Sequence, residues 1–487
     1  MAEALFAEFQ STTLEQWLDA ALNSLSGETL DSLIKKTCEG IEIHPLPHAD
    51  NLAGIEHCHS LPGQFPFVRG MRAGGYRARP WLIASELSIS DPRQFNRALK
   101  DGLATGQSAI TIDDRLRLHE AADIRSALAD IDLARFPLLV ESGARAPEIY
   151  RLLLAALDDE TLRQLEGCVG YDPLSRLART GSMPDEAFER LAAHLETVRG
   201  RSPHLGSIGV NSSVYHDAGA NAAQELALAI ATGVAYLREL HSRGFAVETV
   251  APKLRFFLNI GENFFVEIAK FRAIRLLWAQ VLRAFGLPDA AENLTVHARS
   301  GRRNKARRDA HVNLLRLTTE ALAAAFGGVD SIALAPFDQP ADAPADFSRR
   351  LSRNLQLILQ DELRLVELID PAGGAWHIEK LTDQLARAAW SRFQAFEADG
   401  GLVASLRSGA IQAEISAVAA QRRRDMAVGD SVMVGVNRYI DKNAAIPPIA
   451  SDANARLEAE SASARPLSPI RLAEPFEAQP PEPGSGS

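Results

Sequence analysis

From residue 76 to about 390 the chain alternates short β-like apolar runs with longer stretches whose apolar positions return every three or four residues. SAITI at 108–112 precedes a helical stretch near 119–130, and FPLLVESG at 136–143 precedes another from 146. HLGSIGVNSS at 204–213 leads into a long helical stretch over roughly 217–243. NLTVHAR at 293–299 and DSIALAPFD at 330–338 each have a helix beside them. Strand–helix alternation repeated in this way predicts an α/β fold on a parallel sheet. Because these strands fall within one continuous stretch, a closed (β/α)8 TIM barrel suits them better than an open sheet. No GxGxxG follows an early strand to mark a dinucleotide fold.

The flanks read differently. Leu14, Trp17, Leu18, Ala21 and Leu22 recur at helical spacing, which predicts an amphipathic N-terminal arm. Thr29 or Asp31 opens a second short helix before a strand-like Ile41–Ile43, and 46–75 is largely loop. The arm either wraps a partner chain or packs on its own domain. From about 443 onward Pro, Ala, Ser and Glu dominate, as in IPPIAS and AQPPEPGSGS, so the tail reads as an extended linker or belt. The resulting division is an arm and lead-in loop over 1–75, the barrel over 76–400, a helical and strand extension over 401–442, and the tail over 443–487.

Charge and composition narrow the function classes. With 52 Lys+Arg against 62 Asp+Glu and a net charge of −10, there is no basic stripe for nucleic acid. No apolar stretch reaches the ~20 residues of a membrane span, and the first ten residues lack the basic start and apolar run of a secretory leader. Three widely spaced cysteines, Cys38, Cys58 and Cys168, fit a reducing cytoplasm and no disulfide framework. Walker, HExxH, GxSxG and CxxC patterns are missing. His57, Cys58 and His59 are adjacent, so on a strand they face opposite ways, and no metal site is assigned. Glu239–Gly244 faintly matches the DxHxxG of corrinoid domains, but reads as a helix end with a glycine cap.

Two places carry candidate chemistry. Arg69–Gly70 and Gly74–Trp81 set Tyr76, Arg77 and Arg79 in a glycine-rich turn, where backbone and guanidinium forks can approach a phosphate or carboxylate. His216 lies where a strand passes into a helix, which in a barrel is the rim that bears catalytic groups; there it can bond a carbonyl oxygen and stabilise developing charge. Ser108, Thr111, Ser207, Gly209, Asn211 and Ser213 are small where a packed barrel wants Val, Ile and Leu. They either leave room along the axis for an elongated polar ligand or mark strand ends at the loop face.

These residues fall into a pattern that resembles the methylmalonyl-CoA mutase family over most of the chain, from Lys36 to about Tyr439. Lys36–Pro45 is similar to its TxEGIxxxPL segment, and Arg69–Trp81 to RG…MYxxRPW. YHDAGANAAQELA at 215–227 is similar to YHxxEAGAxxxxELA, and RFFLNIGENFFVEIAK at 255–270 to SFFxxIGxNFFxEIAK. DPAGGAWHIEKLT at 370–382 and VGVNRY at 434–439 also fit. The resemblance implies a barrel threaded by the pantetheine of coenzyme A and an adenosylcobalamin-dependent radical rearrangement of methylmalonyl-CoA to succinyl-CoA, with the barrel enclosing the reactive cofactor. It implies that Tyr76 presses on the corrin, that His216 bonds the thioester carbonyl and that Arg179 holds the substrate carboxylate. Lys253 and Arg255, together with Arg69 and Arg79, would meet the phosphates of coenzyme A, and Arg299 would line the acyl pocket.

The departures are informative. The family's catalytic chain continues into a corrinoid-binding domain, whereas here the barrel is followed by the Pro-rich tail. Arg299 in VHARSGR and Asp330 in GGVDS stand where that chain carries glutamines, and Gly167–Asp172 lacks TIQND. An amide exchanged for a charge remakes a buried polar pocket. These features resemble the small (beta) subunit of the heterodimeric enzyme. The expectation is a supporting barrel subunit in the cytoplasm whose large (alpha) partner binds most of the adenosylcobalamin. The alternatives are a catalytic acyl-CoA barrel served by a separate cobalamin-binding chain, and a coenzyme A-thioester binder without corrinoid.

Overall fold

The computed structural model describes residues 12–25, 27, 29–141, 143–287, 294–341, 345–448 and 463–478. Eight parallel strands form the centre: β1 Leu82–Ser85, β2 Ile110–Ile112, β3 Leu138–Val140, β4 Gly167–Tyr171, β5 Leu205–Asn211, β6 Leu254–Ile260, β7 Val296–Ser300 and β8 Ser331–Leu334. Each pairs with its neighbour in sequence from β2 to β8, and β8 returns to pair with β1 in register Ser331↔Leu82 to Leu334↔Ser85. The seam between β1 and β2 closes just below β2, where the Ser108 and Ala109 amides donate to the Ile83 carbonyl at 2.9 and 3.2 Å. The result is a (β/α)8 barrel.

The principal helices are α1 Leu14–Ser24, α2 Pro92–Ala104, α3 Ala121–Ala127, α4 Ala146–Ala156, α5 Ala187–Arg201, α6 Ala222–Ser242, α7 Phe264–Ala284, α8 Val312–Gly327, α9 Asp346–Leu357, α10 Trp376–Ala398, α11 Gly401–Ser408 and α12 Ala410–Val428. Local signals set several starts. Asp91 caps α2 through the Gln94 amide ahead of Pro92 at the first helical turn, and Asn221 with Gln224 forms a capping box for α6. α6 and α7 are buried nearly all round, because α10 lies across both as a second layer. Their apolar residues are accordingly spread around the helix rather than gathered in one stripe.

Alternation along the strands separates two interiors. Ile83, Ile110, Leu138, Val169, Ile208, Val210, Phe256, Leu258, Ala298 and Ile332 face the helices and join the main core. Ala84, Ala109, Leu139 and Ala333 face the axis and form a separate small cluster. Thr111, Ser207, Gly209 and Asn211 share that axial alternation, whereas Ser213 sits in the helical turn after β5 and Ser108 binds the β1 backbone. Of the predicted runs, those at 108–112, 136–143, 204–213, 293–299 and 330–338 contain strands; β1, β4 and β6 were not predicted as strands.

Outside the barrel, Lys35–Lys36 pairs antiparallel with Glu42–Ile43, and Leu30–Leu33 forms a short turn of 3-10 helix after Thr29. α1 buries none of its residues, leaving Leu14 and Leu22 exposed. The stretch 401–442 holds α11, α12 and a turn with an isolated bridge between Val434 and Arg438. Residues 463–478 lie on the C-terminal rim; the predicted belt over 449–462 and the GSGS end lie outside the described residues. Among the described residues no helix is long and apolar enough to cross a membrane.

Candidate functional site

The C-terminal half of the lumen is occupied by ions. Glu86 follows β1, Glu141 follows β3 and Arg299 lies near the end of β7, so alternation points all three inward. Arg299 donates to Glu86 at 3.0 Å and approaches Glu141 at 3.2 Å, spanning the axis between the two carboxylates. Gln339, after β8, donates to the other Glu86 oxygen at 2.9 Å. His297, one turn of the pleat below Arg299, stands 3.4 Å from Glu141 through Nε2 and 2.7 Å from the Ser331 hydroxyl through Nδ1. Burial alone would raise the Glu141 carboxyl, but Arg299 and then His297 overcome it and hold it at about 2. Asp113, after β2, is pushed up to about 6, chiefly by burial, with Glu86 and Glu141 adding to it. Arg299 therefore spends its charge on two internal carboxylates and has none left for a substrate carboxylate.

His216 belongs to a second buried set, in the helical turn Ser213–Asp217. Its Nδ1 lies 3.2 Å from Glu225 on α6, whose carboxylate also accepts from Ser212 at 2.6 Å, the Asn259 amide at 3.0 Å and Lys270 at 2.9 Å. Lys270 in turn reaches Glu267 at 2.6 Å. Burial lowers the His216 pKa, and Arg303 lowers it further, against the pull of Glu225. The ring is thus neutral, with its one proton on Nδ1 facing an ionised carboxylate. Nε2 then offers a lone pair and not a hydrogen to anything in the lumen. It faces Gly301, where even a methyl group would come within 2.7 Å.

Tyr76 lies at the other end of the barrel. Its hydroxyl donates to the Val329 carbonyl just before β8 at 2.8 Å, and its ring meets Trp81 edge-on at 5.0 Å. The length of the strands separates it from His216. The physical reason is the route of the chain: the hairpin at 35–43 docks at the N-terminus of α6, on the C-terminal rim, and the chain then passes to the opposite end before β1. Asp330 is also at this N-terminal mouth, bonding the Val296 amide at 2.9 Å and Arg72 at 3.1 Å. It therefore shares no pocket with Arg299.

Four of the predicted coenzyme A contacts gather at that mouth. Arg69 pairs with Asp370 at 2.8 Å and Arg79 with Glu166 at 3.2 Å. Lys253 donates to the Pro203 carbonyl and to Leu205 at 3.2 Å, and Arg255 to the carbonyls of Pro252 and Leu254 at 2.7 and 2.8 Å. Lys253 and Arg255 thus donate only to neutral acceptors among the described residues, and the nearby carboxylates Asp330 and Glu166 offset part of the Arg255 charge. A cavity of about 40 Å³ at this mouth is lined by Arg69, Arg72, Tyr76, Arg275, Asp330 and Asp370, and not by Lys253 or Arg255. Arg179 is elsewhere again, partly exposed on the outer C-terminal rim and 3.4 Å from Asp114.

That rim is a poor seat for a corrin ring. Residues 463–478 bind the carbonyls of Ala178, Gly181, Asp217 and Arg303, which belong to the segments after β4, β5 and β7. Below them Arg299 fills the axis. His241 of the faint corrinoid motif ends α6 at the opposite end of the barrel, where its ring meets the Phe245 carbonyl. The described residues of this rim do not fit adenosylcobalamin. Sequence reasoning missed Glu86, Glu141, His297 and Gln339. The signal was the alternation Leu82–Ala84–Glu86 and Leu139–Glu141, which carries an acid onto the axis at two strand ends.

The family model for methylmalonyl-CoA mutase matches residues 36–116 and 115–471. The chain is 34% identical to the methylmalonyl-CoA mutase small subunit of Streptomyces virginiae, over 90% of this chain and 72% of that one. It is 32% identical to the methylmalonyl-CoA mutase of Cereibacter sphaeroides and 29% identical to the large subunit from Streptomyces virginiae. Each of those matches covers 88% of this chain but only 64% and 62% of the relative.

Proposed function

Since the chain belongs to the methylmalonyl-CoA mutase family, we propose that it is the small, supporting subunit of a heterodimeric mutase that interconverts methylmalonyl-CoA and succinyl-CoA. The observation that carries this reading is Arg299 held between Glu86 and Glu141 across the lumen. The ion set in this reading takes the axial space an acyl group would need, and the Arg299 cation is already engaged by two carboxylates. In this reading adenosylcobalamin, which supplies the radical chemistry, sits on a large partner subunit in the cytoplasm. The unburied apolar face of α1 is what such a partner would cover.

A second reading is favoured by Lys253 and Arg255, which donate only to neutral carbonyls among the described residues. In it this barrel admits acyl-CoA from the N-terminal mouth, with Arg69 and Arg79 adding charge around the phosphates, and works with a separately encoded cobalamin-binding chain. A coenzyme A-thioester binder without corrinoid would use the same mouth. The deciding experiment measures mutase activity of the purified chain with adenosylcobalamin, alone, with a stand-alone cobalamin domain and with a full large subunit. The supporting role predicts activity only with the full large subunit, and turnover unchanged in that complex by His216→Ala. Activity with the stand-alone domain would make this barrel the catalytic one.

A further inference from the structure

We infer that residues 463–478 form a strap that clamps the C-terminal rim from β4 to β7, and that Glu477 is its latch. The strap follows the barrel order. Ser463 and Ala464 donate their amides to the Gly181 carbonyl at 2.8 and 3.0 Å, Leu467 to Ala178 at 2.8 Å, Ile470 to Asp217 at 2.7 Å and Leu472 to Arg303 at 2.9 Å. Three rim segments that are remote in sequence are thereby tied by one extended segment. Ala464, Leu467, Leu472 and Ala473 are buried against the body, so the strap is held along its length.

Its end is fixed by charge. The Glu477 carboxylate accepts the Arg307 amide at 2.6 Å, the Arg308 amide at 3.3 Å and the Arg307 side chain at 3.1 Å, and Arg471 reaches it at 2.5 Å. Those are charge-assisted bonds to a carboxylate with little water to replace them. The strap also bears on His216. Leu472 holds the backbone of Arg303, whose guanidinium donates to the carbonyls of His216 at 3.1 Å and Ala220 at 2.9 Å. Releasing the latch therefore loosens the His216 turn from two sides, through Asp217 and through Arg303. The inference stands apart from the functional reading, because it concerns protection of backbone amides and not turnover.

Hydrogen–deuterium exchange on the full chain tests it, comparing the native protein with Glu477→Ala and Glu477→Gln. Peptides covering 176–182, 214–220, 301–309 and 463–478 report the strap, and 264–284 in α7 is the internal reference. Glu477→Ala should speed exchange about tenfold or more across 463–478 and 301–309 together, the loss of one or two hydrogen bonds. The loop at 214–220 should follow, with α7 unchanged and Glu477→Gln intermediate. Acceleration confined to 301–309, or none, overturns the inference. Should Glu477→Ala also speed α7, Leu467→Asp decides from the far end: a single strap loses protection at 472–477 as well, and a segment still protected there is not one.

Discussion

Replacing Arg299 by glutamine, the residue that the family's catalytic chain carries, tests the closed lumen directly. The substitution leaves Glu86 and Glu141 facing each other with their shared cation gone and Asp113 nearby. Moving the Glu141 carboxyl from 4.5 down to about 2 corresponds to about 3 kcal/mol of preference for its ionised form in the folded chain. Breaking a buried pair by removing one partner costs ~3–5 kcal/mol, so both routes give the same scale. The sign with pH follows from linkage. In the native chain a depressed carboxylate contributes stability above its unfolded pKa of ~4.3 and loses it as pH falls toward about 2. In Arg299→Gln burial acts on Glu141 with its largest opposing charge gone and raises its carboxyl, leaving His297 and Arg302 to oppose it, so the variant gains stability as pH falls from 7 to 5. Urea unfolding followed by circular dichroism should therefore show a gap of about 3 kcal/mol at pH 7 that narrows at pH 5. Adding Glu86→Gln and Glu141→Gln should restore most of the loss. A gap below ~1 kcal/mol, or one that does not depend on pH, refutes the ionic closure.

Other perturbations probe the neighbouring groups. Asp113→Asn should stabilise the chain by about 1–3 kcal/mol at pH 7 and by nothing at pH 4, because a carboxyl raised to about 6 destabilises the fold only once ionised; equal effects at both pH values count against it. Gly301→Ala places a methyl group 2.7 Å from His216 Nε2 and 2.9 Å from the Ile260 carbonyl, so the melting temperature should fall by the equivalent of ~1–3 kcal/mol. His216→Ala should return part of that loss in the double variant, and strict additivity would show that the ring is not packed there. Lys270→Met strands Glu225 and Glu267 without a cation and should cost ~3–5 kcal/mol, visible as loss of soluble folded protein or as an early unfolding transition. Tyr76→Phe removes one hydrogen bond to Val329, for about 1 kcal/mol of stability, and should leave turnover of an assembled mutase unchanged; a large kinetic loss would return Tyr76 to the reaction centre.

β5 and β8 were legible because they are bounded by polar or glycine-rich turns and followed by strongly periodic helices. β4 was not: Gly-Cys-Val-Gly-Tyr has no polar–apolar alternation, and its pairing register slips between Cys168 and Tyr171. The position of His216 at a strand-to-helix passage on the C-terminal rim was readable from the pattern alone. Its tautomer was not, because that depends on Glu225 and Lys270 arriving from two helices that follow different strands. The distance between Tyr76 and His216 was likewise invisible, as a motif fixes residue types but not the end of a barrel at which they emerge. Arg299 was recognised as a changed position; that it meets Glu86, 213 residues away, is knowledge only the closed sheet supplies.

The segment between the hairpin at 35–43 and Trp81 joins the two mouths of the barrel along its outer wall. One end is fastened to α6 by Cys38 and Glu39, the middle lies against α10, and Arg275 grips the Phe67 and Val68 carbonyls near the far end. Mechanically it is a tie-rod set parallel to the strands. A pull on the N-terminal arm is delivered first to the rim beside His216 and then, along a route independent of the lumen, to the opposite mouth. A nick in the loop between these anchors would leave every strand in place and yet sever that link, so the two ends of the barrel would breathe independently.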